Sequence, residues 1–314
     1  MGEPGEVRHV TTGARASPAQ AAYLPAAVPA SRAPTMTAMD DDAPGPDDPL
    51  AARLRAAGSV FAEDEAAVLR SSALSPGELE RLLARRLAGE PLEHVVGWVA
   101  FDGLRLVVGP GVFVPRRRTE LLAREAAALT RPGDVVVDLC CGAGAVGAAV
   151  QHRVPGAVVH GADVDPGALA YARRNLPAER VHRGDLLEAL PGELRGRVAV
   201  LAVNAPYVPT AAVALMPPEA RDHEPRVALD GGSDGLDVQR RVAEQAPAWL
   251  APGGAVVVET SEAQARGTAG LLRSAGCRTR VVHDDGVDGT VVVGTLPGTP
   301  LGHRRPGGRA RGAT

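Results

Sequence analysis

The sequence predicts an α/β fold: a mostly parallel sheet with helices on both faces, preceded by a small helical unit and a β-hairpin. Three observations lead there. Beyond residue 115, short runs of β-branched residues alternate with helix-length segments, the pattern of β-α-β crossovers. The first of those strands runs straight into a glycine turn. The stretch from Leu50 to Gly97 instead repeats its apolar residues at helical spacing.

Taken in order, residues 1–49 are dominated by Ala, Pro, Gly, Thr and Ser and end near the acidic cluster Asp40, Asp41 and Asp42. With so few large apolar side chains they are expected to be disordered. Met36 and Met39 stand just before the foldable part and mark alternative starts. In residues 50–97, "PGELERLLARRLAG" sets Leu79, Leu82, Leu83 and Leu87 on one helix face, as in a small helical domain. Residues 98–115 read as a hairpin between two domains, with Asp102-Gly103 as its turn. Residues 116–296 supply "DVVVDLC" and a helix from Ala143, "VVHGAD" and a helix through Asn175, "RVAVLAV", a helix over Val238 to Leu250, and "GAVVVET". Such alternation buries a parallel sheet on both faces. "RTRVVHDD" and "TVVVGTL", separated by a short turn, are expected to close the sheet as an antiparallel pair, and residues 297–314 form a basic tail expected to be disordered.

Composition excludes several classes. A net charge of -3 argues against a surface built to coat nucleic acid or membrane, and no apolar run reaches the length of a membrane span. All 34 basic residues are arginine, a mark of coding bias more than of function. Cys140, Cys141 and Cys277 have neither disulfide-framework nor zinc-ligand spacing, so no metal is expected and a cytoplasmic location fits. His94, His152, His160 and His182 form no ligand or triad spacing.

The turn "VVVDLCCGAGAVG" carries Gly142, Gly144 and Gly147 in the dinucleotide pattern, which alone is weak. Asp138 at the strand's end adds discrimination. A carboxylate there would repel the pyrophosphate of a nicotinamide cofactor, but it would attract the ammonium group of S-adenosyl-L-methionine. Asp163, in "ADVD" about 20 residues further on, stands where a carboxylate accepts both ribose hydroxyls. Asp185 in "GDLL" is an acceptor for the adenine amino group, with Leu186 beside it as a ring contact. Asp165 more simply caps the following helix.

After the next strand comes "LAVNAPYVPT". An amide or exocyclic amine nitrogen is a poor nucleophile because its lone pair is delocalised. Two acceptors on its two N–H bonds hold it in line and stabilise the charge that develops. The side-chain oxygen of Asn204 and the carbonyl of Ala205 can form that pair; Pro206 keeps residue 205 extended, and Tyr207 offers a face for a planar group.

This tetrapeptide resembles the N-P-P-Y signature of methyltransferases acting on planar nitrogens, with Ala205 in place of the first proline. "VPRRRTE", residues 114–120, and "EPRVALDGGSDGLD", residues 224–237, resemble two further segments of the peptide chain release factor N(5)-glutamine methyltransferase family. The motifs come in the family's order over about residues 50–296. The resemblance implies a Rossmann-like class I methyltransferase sheet of seven strands, a helical substrate-binding domain, and methylation of the glutamine of a release factor's Gly-Gly-Gln loop. It also brings Glu224 toward the site, with Asn204 adjoining the cofactor. The departures at Ala205, "CCGAG" and Arg117 mark a divergent paralogue. Two other readings stay open: an adenine-N methyltransferase acting on DNA or RNA, and a non-catalytic cofactor-binding paralogue. Arg116, Arg117 and Arg118 are expected in a solvated loop or paired with Glu120, and Glu259 is expected to be structural.

Overall fold

The computed structural model describes residues 7–9 and 48–298, beginning with a three-residue strand, β1 (Val7–His9). Four helices follow: α1 (Pro49–Ala56), α2 (Ala62–Ser72), α3 (Pro76–Leu87) and α4 (Leu92–Val96). Asp48 starts the first by accepting from the Leu50 N–H, and Ser75 starts the third by accepting from the Glu78 N–H, each followed by a helix-compatible proline. Leu50, Leu54, Leu69, Leu83 and Val95 bury a separate small core between these helices. Leu83 is fully enclosed, while Leu79, Leu82 and Leu87 pack around it partly buried, as their shared face requires.

A hairpin comes next, β2 (Trp98–Phe101) and β3 (Leu104–Val107). Its two-residue turn puts Asp102 and Gly103 both at positive φ, the primed geometry that matches strand twist. The rest alternates: α5 (Glu120–Ala128), β4 (Val135–Leu139), α6 (Ala145–Arg153), β5 (Val158–Asp163), α7 (Pro166–Asn175), β6 (Val181–Arg183) and β7 (Val198–Val203). After these come two short helices, α8 (Thr210–Val213) and α9 (Pro218–His223), and then α10 (Asp237–Trp249), β8 (Leu250–Glu259), α11 (Ala265–Ser274), β9 (Arg278–Asp284) and β10 (Gly289–Thr295).

Seven strands form the sheet in the order β9-β10-β8-β7-β4-β5-β6, parallel except for β10, which runs antiparallel to both neighbours. One hydrophobic cluster lies on each face. β1 adds to the outer edge, pairing parallel with β9 from Val7↔Val281 to His9↔His283. Those three residues are thus in a strand where the composition suggests disorder, because pairing with an edge asks only for backbone donors and acceptors. The remainder of 1–47 and the tail from 299 lie outside the described residues. Among the described residues no helix is long and apolar enough to cross a membrane.

Strand order reverses at β4, whose neighbours β5 and β7 leave in opposite directions along the sheet. A crevice opens at the carboxyl ends of parallel strands at such a point. Register then decides what faces it. Leu139 pairs with Ala162 and with Val203, so Asp163 and Asn204 each emerge one residue past the same rung. Val203 also pairs with Val258, which brings Glu259 level with Asn204 one strand away.

Candidate active site

A cavity of about 660 Å³ lies over that crevice, within the size range of small-molecule sites. Its wall includes Asp138, Gly142, Asp163, Asp185 and Leu186 on one side of the switch point, and Asn204 to Tyr207 on the other.

The glycine turn is shaped from within. Cys140, Gly142 and Gly144 all have positive φ, at 57°, 53° and 79°. Gly144 does not line the cavity, contrary to the sequence expectation: a Cβ there would lie 2.9 Å from Leu176 Cδ1. Glycine is required at that position by the turn and by packing on α7. Asn175 holds the turn in place, donating to the Ala143 and Val107 carbonyls at 2.8 and 2.9 Å and accepting from the Val107 N–H at 2.9 Å. One side chain thereby ties the hairpin to the turn.

The acids differ in their commitments. Asp138 is buried and accepts from the Gly147 N–H at 2.8 Å. Burial pushes its carboxyl up to about 8, against the Gly147 hydrogen bond and assisted by the nearby Asp163 charge. Asp163 accepts from the Gly142 N–H at 2.8 Å and the Asp165 N–H at 2.9 Å, and burial raises it too. Asp165 caps α7 through the Gly167 N–H at 2.7 Å, as its place in the sequence suggests. Asp185 is paired: Arg241 Nη2 donates to its Oδ2 at 2.5 Å. Arg241 lies on the cavity wall and was not foreseen, because α10 is 56 residues further along the chain and only the fold brings it there.

On the other side, the Asn204 side chain is half-buried and makes no hydrogen bond among the described residues, and no described group donates to the Ala205 carbonyl. Ala205 itself is buried in the core cluster beneath. The Tyr207 hydroxyl donates to Glu259 Oε1 at 3.1 Å, and burial beside that carboxylate raises the phenol's pKa. Glu259 thus holds the Tyr207 ring in place.

The segment 224–237 braces this corner. The Val208 N–H donates to the Leu229 carbonyl at 3.1 Å and the Gly231 N–H to the Val208 carbonyl at 2.8 Å. A Cβ on Gly231 would sit 2.7 Å from the Pro206 oxygen. Gln264 joins in, donating to the carbonyls of Tyr207 and Asp234, each at 3.0 Å. Arg116 is not paired with Glu120, whose Oε1 accepts from the Asp102 N–H at 3.3 Å. It bonds Glu224 and lies over the Phe113 ring, which sequence proximity could not reveal because Glu224 is 108 residues away. Burial raises Glu224, while Arg116 and the Val114 N–H pull it down.

His160 and His182 meet away from this cavity, Nδ1 to Nε2 at 2.9 Å. Among the described residues no group of three His, Cys, Asp or Glu could hold a metal.

Strand order, glycine turn and acid-lined cavity at the switch point define a methyltransferase of the class that uses S-adenosylmethionine. The model of the methyltransferase small domain matches residues 103–214. The release factor glutamine methyltransferase of Streptomyces coelicolor is 44% identical over 189 residues, 58% of this chain and 67% of that one. The enzyme of the same name from Geobacter sulfurreducens is 39% identical over 229 residues, 69% of this chain and 79% of that one. A 4-amino-L-phenylalanine/4-methylamino-L-phenylalanine methyltransferase from Streptomyces pristinaespiralis is 34% identical over 265 residues, 78% and 89% of the two chains. The chain belongs to the release factor glutamine methyltransferase family.

Proposed function

We propose that this protein methylates the side-chain amide nitrogen of a glutamine in a protein substrate, the Gly-Gly-Gln glutamine of a class I release factor, in the cytoplasm. One observation carries the reading. An uncommitted carboxamide, Asn204, and an uncommitted carbonyl, Ala205, share a cavity with the buried acids of the glycine turn.

The residues fit S-adenosylmethionine. Asp138 would face its ammonium group, Asp163 its ribose, and Asp185 with Leu186 its adenine; Gly142 leaves room at the turn. When bound, the cofactor supplies an electrophilic methyl group on a sulfonium. Asn204 and Ala205 accept the two N–H bonds of the glutamine amide, which localises its lone pair and stabilises the positive charge that develops on nitrogen. Tyr207, fixed by Glu259, stacks against the planar amide. The cationic N-methyl amide is acidic enough to lose its proton to water, so no buried base has to carry it. The helical unit helps to seat the protein, with Arg86 bridging Glu65 of α2 and Glu219 on the cavity wall.

A free arylamine is the second reading, favoured by the relative matched over the greatest length among the three above. Its planar nitrogen meets the same geometric demand. Labelled methyl transfer into a purified release factor, free 4-aminophenylalanine and DNA separates these readings. Transfer to the release factor, mapped by mass spectrometry to its Gly-Gly-Gln glutamine, is expected; transfer to arylamine or DNA alone overturns the proposal.

A further inference from the structure

The backbone that carries Asp185 is held on both sides, but its side chain has a single partner. The Gly184 N–H donates to the Asp163 carbonyl at 3.1 Å, and a Cβ on Gly184 would lie 2.9 Å from Ala189, so the chain is closely packed between β6 and the short turn Leu186–Ala189. Asp185 stands at the N-cap of that turn and does not cap it. Its Oδ2 accepts instead from Arg241 Nη2 at 2.5 Å, and its Oδ1 has no hydrogen bond among the described residues. The Asp185 and Arg241 side chains are 54% and 48% exposed, so neither is locked by packing and both are reachable from the cavity they line. Arg241 lies one turn beyond Val238 on α10, and the two present a cationic and an apolar group to the same cavity. The preceding Arg240 bonds elsewhere, to Asp234 and Asp237.

We infer that Arg241 is a positioning residue for the choice of cofactor: by holding Oδ2 it turns Oδ1 of Asp185 toward the amino group of an adenine, and so selects a 6-amino purine over a 6-oxo purine. The inference rests on the S-adenosylmethionine reading and adds to it a residue that acts through the carboxylate. An exposed ion pair contributes little to stability, so its consequence here is directional. A carboxylate only accepts; it matches the N–H donors of an adenine amino group and opposes the carbonyl oxygen of hypoxanthine. Without Arg241 the Asp185 side chain is free to turn into water, and the base has to order it on binding. Leu186 and Val238 offer apolar contact to the ring of either base and do not discriminate between them.

The test uses S-adenosylhomocysteine and its 6-oxo analogue, S-inosylhomocysteine, with Kd measured by calorimetry for wild type, Arg241→Met and Asp185→Asn. Wild type should prefer the adenosyl compound by about tenfold or more, the scale of a hydrogen bond to a charged group. Arg241→Met should weaken the adenosyl compound by about three- to tenfold, the cost of ordering one free side chain, and leave the inosyl compound within about twofold. Its melting temperature should stay close to that of wild type. Asp185→Asn, whose amide can present an NH2 to the 6-oxo group, should lose the preference altogether. Should Arg241→Met prove unstable, Arg241→Gln takes its place. Failure of wild type to bind S-adenosylhomocysteine overturns the cofactor reading and this inference together. Equal binding of the two compounds by wild type, or an unchanged preference in Asp185→Asn, removes Asp185 from the adenine and this inference with it. An Arg241→Met variant that keeps the wild-type preference, or weakens both compounds equally, overturns this inference alone.

Discussion

Asn204 and Asp138 face one cavity but answer to different chemistry. In the proposed reaction Asn204 accepts from the reacting nitrogen, so Asn204→Ala should lower turnover by about 100-fold or more, the scale set by removing one preorganised polar contact to developing charge. Cofactor affinity measured by calorimetry should stay within a few-fold; equal loss of binding and turnover would remove Asn204 from that role. Asp138 is held protonated by burial up to about pH 8. Because its folded pKa lies above the ordinary value, its stabilising contribution is complete at acid pH and is lost as pH climbs through about 8. Melting temperatures of cofactor-free wild type and Asp138→Asn, followed from pH 5 to 9, should therefore shift in the variant's favour as pH rises. A constant difference would show that this carboxyl is not perturbed. A bound cation would ionise Asp138, so cofactor binding near pH 7 should release a proton in wild type and none in the variant.

At the level of elements, the acceptor corner is not stiffened by its own sequence, since Ala205 stands where a proline would restrict the chain. Stiffness comes from residues 224–237, which run against it with Gly231 under the Pro206 carbonyl. Gly231→Ala would force these two segments apart and should cost about 1–3 kcal/mol, as overpacking does elsewhere. The expected result is a lower melting temperature together with a fall in kcat at unchanged cofactor affinity. A variant as active as wild type would show that the brace does not position the corner. The turn after β4 is supported in the same manner from outside, by Asn175 at the end of α7.

Across the whole molecule, the helical unit and the sheet domain meet where substrate would enter. Arg86 is largely buried and joins α3 to Glu65 and Glu219, and those two carboxylates raise its pKa. Arg86→Ala should lower stability by about 1–3 kcal/mol, the range for hydrogen bonds to charged groups. It should also raise KM for a protein substrate while leaving cofactor Kd unchanged. An unaltered KM would mean that the helical unit does not help to seat the substrate. On the opposite edge β1 contributes three pairs beside the seven that join β9 to β10, so the sheet does not depend on it.

The sequence by itself determined the alternation of strands and helices, the glycine turn, the hairpin at Asp102-Gly103 and the N-A-P-Y corner. Each is a matter of local periodicity, backbone sterics or side-chain chemistry over a few neighbouring residues. It also placed Asp163 and Asn204 at strand ends, because an aliphatic run that stops at a polar residue marks where a parallel strand leaves the core. Only the tertiary structure decided that Arg116 meets Glu224 and not Glu120, that Arg241 reaches Asp185, that Gly144 turns toward Leu176, and that Val7–His9 join the sheet edge. Those contacts join residues that local pattern does not connect. Strand order and register bring them together.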